Sequence, residues 1–307
     1  MVLDTDTYNE IDDQFAVTYA MVSPEQISVE ALYAAPFFND RSNGPADGME
    51  KSYEEILRLL DRLGTAPTTA SAEATEDANT ECSFVFRGAT AYLSKSDMER
   101  AATKPPEAIG LNEAAQDLVE KAMAGPPPLY VVAIGAITNV ASAILIEPQI
   151  IENIVVVWLG GQPLHWPTAR EFNLQQDLHA SRLIFDCGVP LVQIPCSGVA
   201  SHLLTTAEEL ERHIQGNDIS DYLVETFKAY RADHTDKPAW AKVIWDIAGI
   251  AYLIDAAWVP TTLVHSPILT DHFTWSTDHN RHFIRQATFV HRNPIFNDLF
   301  TKLKGHA

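Results

Sequence analysis

The chain is poor in positive charge, with 21 Lys and Arg against 41 Asp and Glu over 307 residues and a formal charge of −20. A field of that sign repels phosphate backbones and anionic headgroups, which argues against nucleic acid and membrane surfaces as partners. Cysteine is scarce: Cys82, Cys187 and Cys196 show no metal-ligand spacing. An odd, sparse count of that kind fits a reducing compartment. No apolar run approaches the roughly 18 residues of a membrane span, and no charged segment leads into an apolar one as in a secretion signal. The chain therefore reads as soluble and cytosolic. Internal repeats, low-complexity tracts and an evident linker are missing too, which favours one domain over residues 1–307. Hydrophobic residues at 46% and charged residues at 20% are ordinary globular values and argue against global disorder.

Short apolar runs alternate with longer stretches of helical spacing, the mark of βαβ units. Val2 and Leu3 open a clipped strand, and Asp12 and Asp13 start a helix carrying Phe15, Ala16, Tyr19 and Ala20. Strands are expected at residues 27–35, 129–134, 154–159 and 190–194. Helices are expected at 53–63, 114–124, 138–146, 178–185, 208–228 and 243–254, the last with Asp246 in its first turn. Residues 64–82, rich in Thr, Ala and Glu, read as a loop or surface stretch. The expected fold class is α/β: a single domain with a Rossmann-like, mostly parallel sheet flanked by helices. Ligands of such sheets collect at the carboxyl ends of the strands. Residues 4–13, 36–39, 134–139 and 160–173 would then share one rim.

The first thirteen residues hold Asp4, Asp6, Asp12 and Asp13 directly behind the opening strand. Crowded carboxylates raise one another's pKa and resist ionisation, a cost that a hard, oxygen-seeking cation such as Ca²⁺ or Mg²⁺ removes. The same residues also suit a plain strand-to-helix loop, because carboxylates favour helix N-termini. Asp246 sharpens the choice, since a lone aspartate in an apolar helix is expensive unless paired or metal-bound.

Asp4-Thr5-Asp6, a short turn and Asp12-Asp13 together resemble the inosine-uridine preferring nucleoside hydrolase family, in a branch with a longer turn. Glu171-Phe172-Asn173 resembles the family's substrate motif, the segment from Ile134 to Asn139 its central loop, and Trp245-Asp246-Ile247-Ala248 its last metal-ligand segment. The resemblance implies hydrolysis of a ribosyl C–N bond with bound Ca²⁺. It implies metal ligation by the side chains of Asp6, Asp13 and Asp246 and by the backbone carbonyl of Ile134. Asp6 would also be the general base towards a metal-bound water, while Asp12, Asn39, Glu171 and Asn173 hold ribose hydroxyls. Glu171 and Asn173, two apart on an extended segment, would point to the same face. Asp4 reads as structural, hydrogen-bonding the turn. A homodimer or homotetramer is the assembly that the resemblance suggests.

Several positions depart from the family pattern. Tyr8 stands where glycine is usual, so the turn must accept a side chain. Trp245 precedes Asp246 where a histidine is proposed to protonate the leaving base, and Arg87 before Gly88 also replaces a histidine. His165 takes a position that is often asparagine. Trp245 could stack on a base or simply pack, and His165 and Arg87 are candidates to contact the base. Asp177 and His179 read as surface or helix N-terminal residues. His202, His213, His234, His265, His272, His279, His282 and His291 match no zinc spacing and are read as exposed or packing residues.

Three other functions stay open. One is hydrolysis of a different N-ribosyl compound, and another is ribose or nucleoside binding without turnover. The third is a phosphotransferase of the haloacid dehalogenase type, suggested by Asp4-Thr5-Asp6, which would need Thr or Val at Tyr8 and later lysine and acidic motifs that the chain lacks.

Overall fold

Strands that are apolar without alternation are expected to be buried on both faces. In the computed structural model, which describes residues 1–65, 84–101 and 112–306, the run Ile154–Leu159 meets that expectation. Val156 and Trp158 pack into one core, while Val157 and Leu159 pack into the other.

The first six strands are β1 (Val2–Thr5), β2 (Ala31–Ala34), β3 (Val85–Arg87), β4 (Leu129–Ala133), β5 (Ile154–Leu159) and β6 (Leu191–Ile194). The remainder are β7 (Leu204–Thr205), β8 (Lys242–Val243), β9 (Thr261–His265), β10 (Ile268–Leu269), β11 (Trp275–Ser276) and β12 (Phe283–Ala287). Eight of them form one sheet in the order β3-β2-β1-β4-β5-β6-β12-β9, parallel except for the antiparallel edge strand β9. Two antiparallel pairs, β7 with β8 and β10 with β11, lie outside it. The succession β3-β2-β1-β4-β5-β6 is the doubly wound order, whose strand direction of travel reverses between β1 and β4. Both strands therefore deliver their carboxyl ends to the crevice where such folds bind ligands.

Helices cover both faces. Phe15, Leu59, Leu223, Ile250 and Leu299 anchor helices Asp12–Met21, Pro45–Arg62, Asp218–His234, Ile247–Ile254 and Arg292–Gly305 in one core. Leu118, Val140 and Ile184 anchor helices Glu113–Ala124, Thr138–Ile146 and Leu178–Asp186 in the other. Each such side chain, once fully buried, contributes about 1.5–3 kcal/mol. Among the described residues, no helix is long and apolar enough to cross a membrane.

Several expected elements are corrected. The segment 208–228 is two helices, Ala207–Ile214 and Asp218–His234. Gly216, at φ 128°, breaks the first, and the Asn217 side chain caps the second by accepting from the Ser220 amide. The expected helix 243–254 begins at Ile247, with Asp246 at its N-cap, because Lys242–Val243 is drawn into β8. The expected helix 53–63 starts earlier, at Pro45, where a proline suits the first turn. Strand 27–35 is regular only over Ala31–Ala34. Strands β9 and β12, absent from the sequence reading, are half-exposed, so no continuous apolar run marks them. The expected loop 64–82 falls, apart from residues 64 and 65, outside the described residues.

Tight backbone approach sets the rim. A Cβ on Gly88 would stand 2.1 Å from the Ala34 carbonyl oxygen and 2.4 Å from the Asn139 amide nitrogen. Backbone cannot yield as a flexible side chain does, so Gly88→Ala should cost about 1–3 kcal/mol. Urea unfolding should show a lower midpoint at constant slope; an unchanged midpoint would refute the close fit.

Candidate active site

β1 ends at Thr5, so Asp6 emerges at the carboxyl edge of the sheet. The turn after it closes through the Asn9 amide donating to the Asp6 carbonyl at 2.7 Å. Tyr8 fits this turn without left-handed backbone: among described non-glycine residues only Phe273 has a positive φ. Its ring lies under the Arg41 guanidinium, 4.5 Å away.

Asp12 and Asp13 occupy the first turn of helix Asp12–Met21, where the macrodipole favours negative charge. Thr5 Oγ1 donates to Asp13 Oδ1 at 2.6 Å. Asp246 arrives from the far end of the chain, and carboxylate oxygens of Asp12, Asp13 and Asp246 lie within 4.8 Å of one another. Three charges that close repel by roughly 3–4 kcal/mol per pair at an effective dielectric of 20. Burial first, then the neighbouring charge of Asp12, pushes the Asp13 carboxyl up to about 7. Burial and the charges of Asp12, Asp13 and Asp6 hold Asp246 well above the carboxylate range. Asp6 is fully buried and both its carboxylate oxygens lack a hydrogen-bond partner. Burial and then the Asp13 charge raise its pKa strongly. Unpaired buried oxygens beside a carboxylate cluster suit a hard divalent cation that takes oxygen ligands. The donor set therefore fits a metal of the Ca²⁺ or Mg²⁺ kind.

A cavity of about 330 Å³ opens over this cluster. Of the expected residues, Asp12, Asp13, Asn39, Ile134, Glu171, Asn173, Trp245 and Asp246 line it. Ile134 follows β4, and its carbonyl accepts from Asn173 Nδ2 at 2.9 Å; the same nitrogen donates to the Leu159 carbonyl at 3.0 Å. Asn39 donates to Asn9 Oδ1 at 2.6 Å, which ties two rim loops together. Trp245 packs against the core, borders the cavity and donates its backbone N–H to Asp12 Oδ2 at 3.2 Å. Packing and lining are thus both true of it.

Glu171 and Asn173 do not share an extended segment. Glu171 is the N-cap of the short helix Phe172–Gln176, and its carboxylate accepts from the amides of Gly161, Asn173 and Leu174. Asn173 sits within that helix, so capping geometry rather than strand alternation brings the pair to the cavity. Asp4 is structural but does not bond the turn as expected: it accepts from Asn139 Nδ2 at 2.7 Å, and burial lifts it to about 7. Asp177 caps helix Leu178–Asp186 but is buried, which corrects the surface half of its reading.

Two expected base contacts stand elsewhere. Arg87 clasps Glu50, lies 3.8 Å over the Tyr53 ring and lines a separate cavity of about 550 Å³. His165 is exposed, with its ring 5.9 Å from that of Trp166, and does not border the aspartate cavity. A ready anion and an aromatic face hold Arg87, and nothing draws His165 inward. Asn9, Glu10, Gln162, Cys196 and Ser197 line the cavity although the sequence reading passed over them. Cys196 and Ser197 follow β6, so their place at the carboxyl rim was the signal available.

Comparisons with known proteins supply the family. The family described as inosine-uridine preferring nucleoside hydrolase matches residues 1–292. The chain belongs to that family. It is accordingly an N-glycosyl hydrolase of the nucleoside hydrolase class. It is similar to the pyrimidine-specific ribonucleoside hydrolase RihA of Salmonella arizonae, 26% identical over 263 residues, covering 83% of this chain and 79% of that protein. The same-named protein of Citrobacter koseri is 26% identical over 231 residues, covering 74% of this chain and 70% of that one. Among solved structures, the fold is similar to a purine-preferring ribonucleoside hydrolase from Gardnerella vaginalis, with a TM-score of 0.73 at 19% identity, covering 99% and 98% of the two chains. The plant nucleoside hydrolase PpNRh1 gives a TM-score of 0.72 at 19% identity over the same shares.

Asn139 joins three buried groups, since it also donates to the Ala34 carbonyl and accepts from the Ala89 amide. Asn139→Leu strips partners from all three, at about 1–3 kcal/mol for each orphan. Thermal unfolding should show a loss larger than a single hydrogen bond explains; a loss under about 1 kcal/mol would mean that Asp4 is satisfied in another way.

Proposed function

We propose that this enzyme cleaves the N-glycosidic bond of ribonucleosides to give ribose and free base, with Asp6 as the general base. The observation that carries the reading is the meeting of Asp12, Asp13 and Asp246 within 4.8 Å, with the unpartnered Asp6 carboxylate beside Asp13. Ca²⁺ would be held by the side chains of Asp6, Asp13 and Asp246 and the carbonyl of Ile134, with Asp12 close enough to join them. When bound, the cation offsets the repulsion among the carboxylates and polarises the attacking water.

The residues then divide the work. Asp6 takes the proton from water as it attacks, a role worth typically about 10² to 10⁴-fold. As the C–N bond stretches, the sugar gains oxocarbenium character, which the surrounding carboxylates stabilise. Asp12 and Asn39 line the cavity and would hold ribose hydroxyls. Asn173 spends its amide nitrogen on two carbonyls, which leaves its oxygen to accept from a hydroxyl. Glu171 already accepts three backbone amides, and the remaining lone pairs of its carboxylate would accept a sugar hydroxyl. Trp245 offers a stacking face to the base but no acidic proton.

A second reading rests on the cavity lining, which contains no histidine among the described residues. Without such an acid the protein could bind ribose or nucleosides and turn them over poorly, or act on an N-ribosyl compound whose leaving group needs no protonation.

Purified protein with Ca²⁺ and a panel of nucleosides should release reducing sugar, and a chelator should stop it. No release with ribose still bound would favour the binding reading. Asp6→Asn should lower kcat by about 10² to 10⁴-fold with the fold intact; an unchanged rate removes Asp6 as the base. Calcium at 100 times its Kd should stabilise the chelated protein by about 2.7 kcal/mol in thermal unfolding. An identical melting temperature with and without calcium would sink the metal assignment.

A further inference from the structure

The cavity has an acidic group that the proposed reaction leaves unused. Glu10 sits in the turn between β1 and helix Asp12–Met21, its side chain 38% exposed and lining the cavity. Lys242, on β8 and nearly buried, is ion-paired to the Glu10 carboxylate. The same ammonium lies 3.6 Å from Asp12 Oδ1 and 5.4 Å from the centre of the Tyr230 ring. Tyr230 donates its hydroxyl to Glu10 Oε1 at 3.3 Å, and Arg41 holds the Glu10 backbone carbonyl at 3.0 Å. Glu10 is therefore fixed through both its backbone and its side chain.

We propose that Glu10, positioned by Lys242, is the residue that selects the base, and that it favours bases bearing an exocyclic amino group. The proposal rests on the nucleoside hydrolase reading above. The carboxylate cluster and Asn173 claim the sugar at the buried end of the cavity. Glu10, a partly exposed member of the cavity lining, stands towards solvent, where the other half of a nucleoside must lie, and Trp245 lines the same cavity. A paired carboxylate accepts hydrogen bonds and donates none. The amino groups of cytosine and adenine offer it two N–H bonds. The ring N–H of uracil is flanked by two carbonyl oxygens and that of hypoxanthine by one, and these repel an anion. A fixed acceptor contributes more than a mobile one, because less ordering is required on binding.

The test compares kcat/KM for cytidine against uridine, and for adenosine against inosine, in wild type, Glu10→Gln, Glu10→Ala, Lys242→Met and Lys242→Arg. Both Glu10 variants should lower the two ratios by roughly tenfold or more, the scale of one hydrogen bond to a charged group. Inhibition by free ribose should stay unchanged, which separates base selection from sugar binding. Lys242→Met should lower the same ratios and Lys242→Arg should restore them, even where contact with Asp12 lowers every rate. Melting temperatures confirm that each variant is folded. Equal losses for all four nucleosides, or weakened ribose inhibition in Glu10→Gln, would overturn the proposal. Should wild type release no sugar, the catalytic reading fails by itself, and the same ratios are then read from nucleoside Kd values by calorimetry.

Discussion

Carboxylates that would repel one another in water are held together here in a buried crevice, and the structure around them is organised to make that tolerable. Asp6, Asp12 and Asp13 come from one short segment, and Asp246 comes from more than two hundred residues away. Helix Asp12–Met21 contributes its positive N-terminus, Thr5 a hydroxyl and Trp245 a backbone N–H. Lys242 supplies a full positive charge beside Asp12. Burial alone would lower the pKa of its ammonium, yet the charges of Asp12 and Glu10 outweigh that and raise it. No single partner cancels the repulsion, and both oxygens of Asp6 and one of Asp4 remain without a hydrogen-bond partner.

The sheet explains why the crevice lies where it does. Strand order reverses between β1 and β4, and the chain leaving each strand diverges to opposite faces. That divergence opens room above the carboxyl ends, which Ile134 lines, with Asp6 buried behind Asp13 on the adjacent strand's exit. Asn139 spans the gap by binding Asp4 on β1, the carbonyl of Ala34 on β2 and the amide of Ala89 after β3. Gly88 lets this amide approach, and Gly135 gives similar clearance to Asp6, whose carboxyl would lie 2.9 Å from an added Cβ. Close packing of backbone thus fixes the geometry before any ligand arrives.

Much of this was legible from residue order. Residues 138–146 and 154–159 were read with their observed ends, because a Thr-Asn start and an unbroken apolar run are strong local signals. The aspartate pair at a helix start was equally plain. Segment 208–228 was less legible because each half is amphipathic by itself; the change of apolar face across Gly216, from Leu210 and Ile214 to Ile219, Leu223 and Phe227, is the signal that separates the two helices. Glu171 and Asn173 reached the cavity by a route that strand alternation did not foresee, since a capping carboxylate ends the extended segment there.

The sequence by itself determined the supply of chemistry: oxygen ligands in excess, no zinc set, parallel strands, and an acidic segment at the end of the first one. These follow from local spacing and composition, which act over a few residues. Tertiary structure decided which groups meet. It brought Asp12 into the Asp13–Asp246 cluster, set Lys242 against Glu10, placed Cys196 beside Glu171 and sent Arg87 to Glu50. Such pairings depend on distances between segments far apart in the chain, and those distances are fixed only when the two cores close around the sheet.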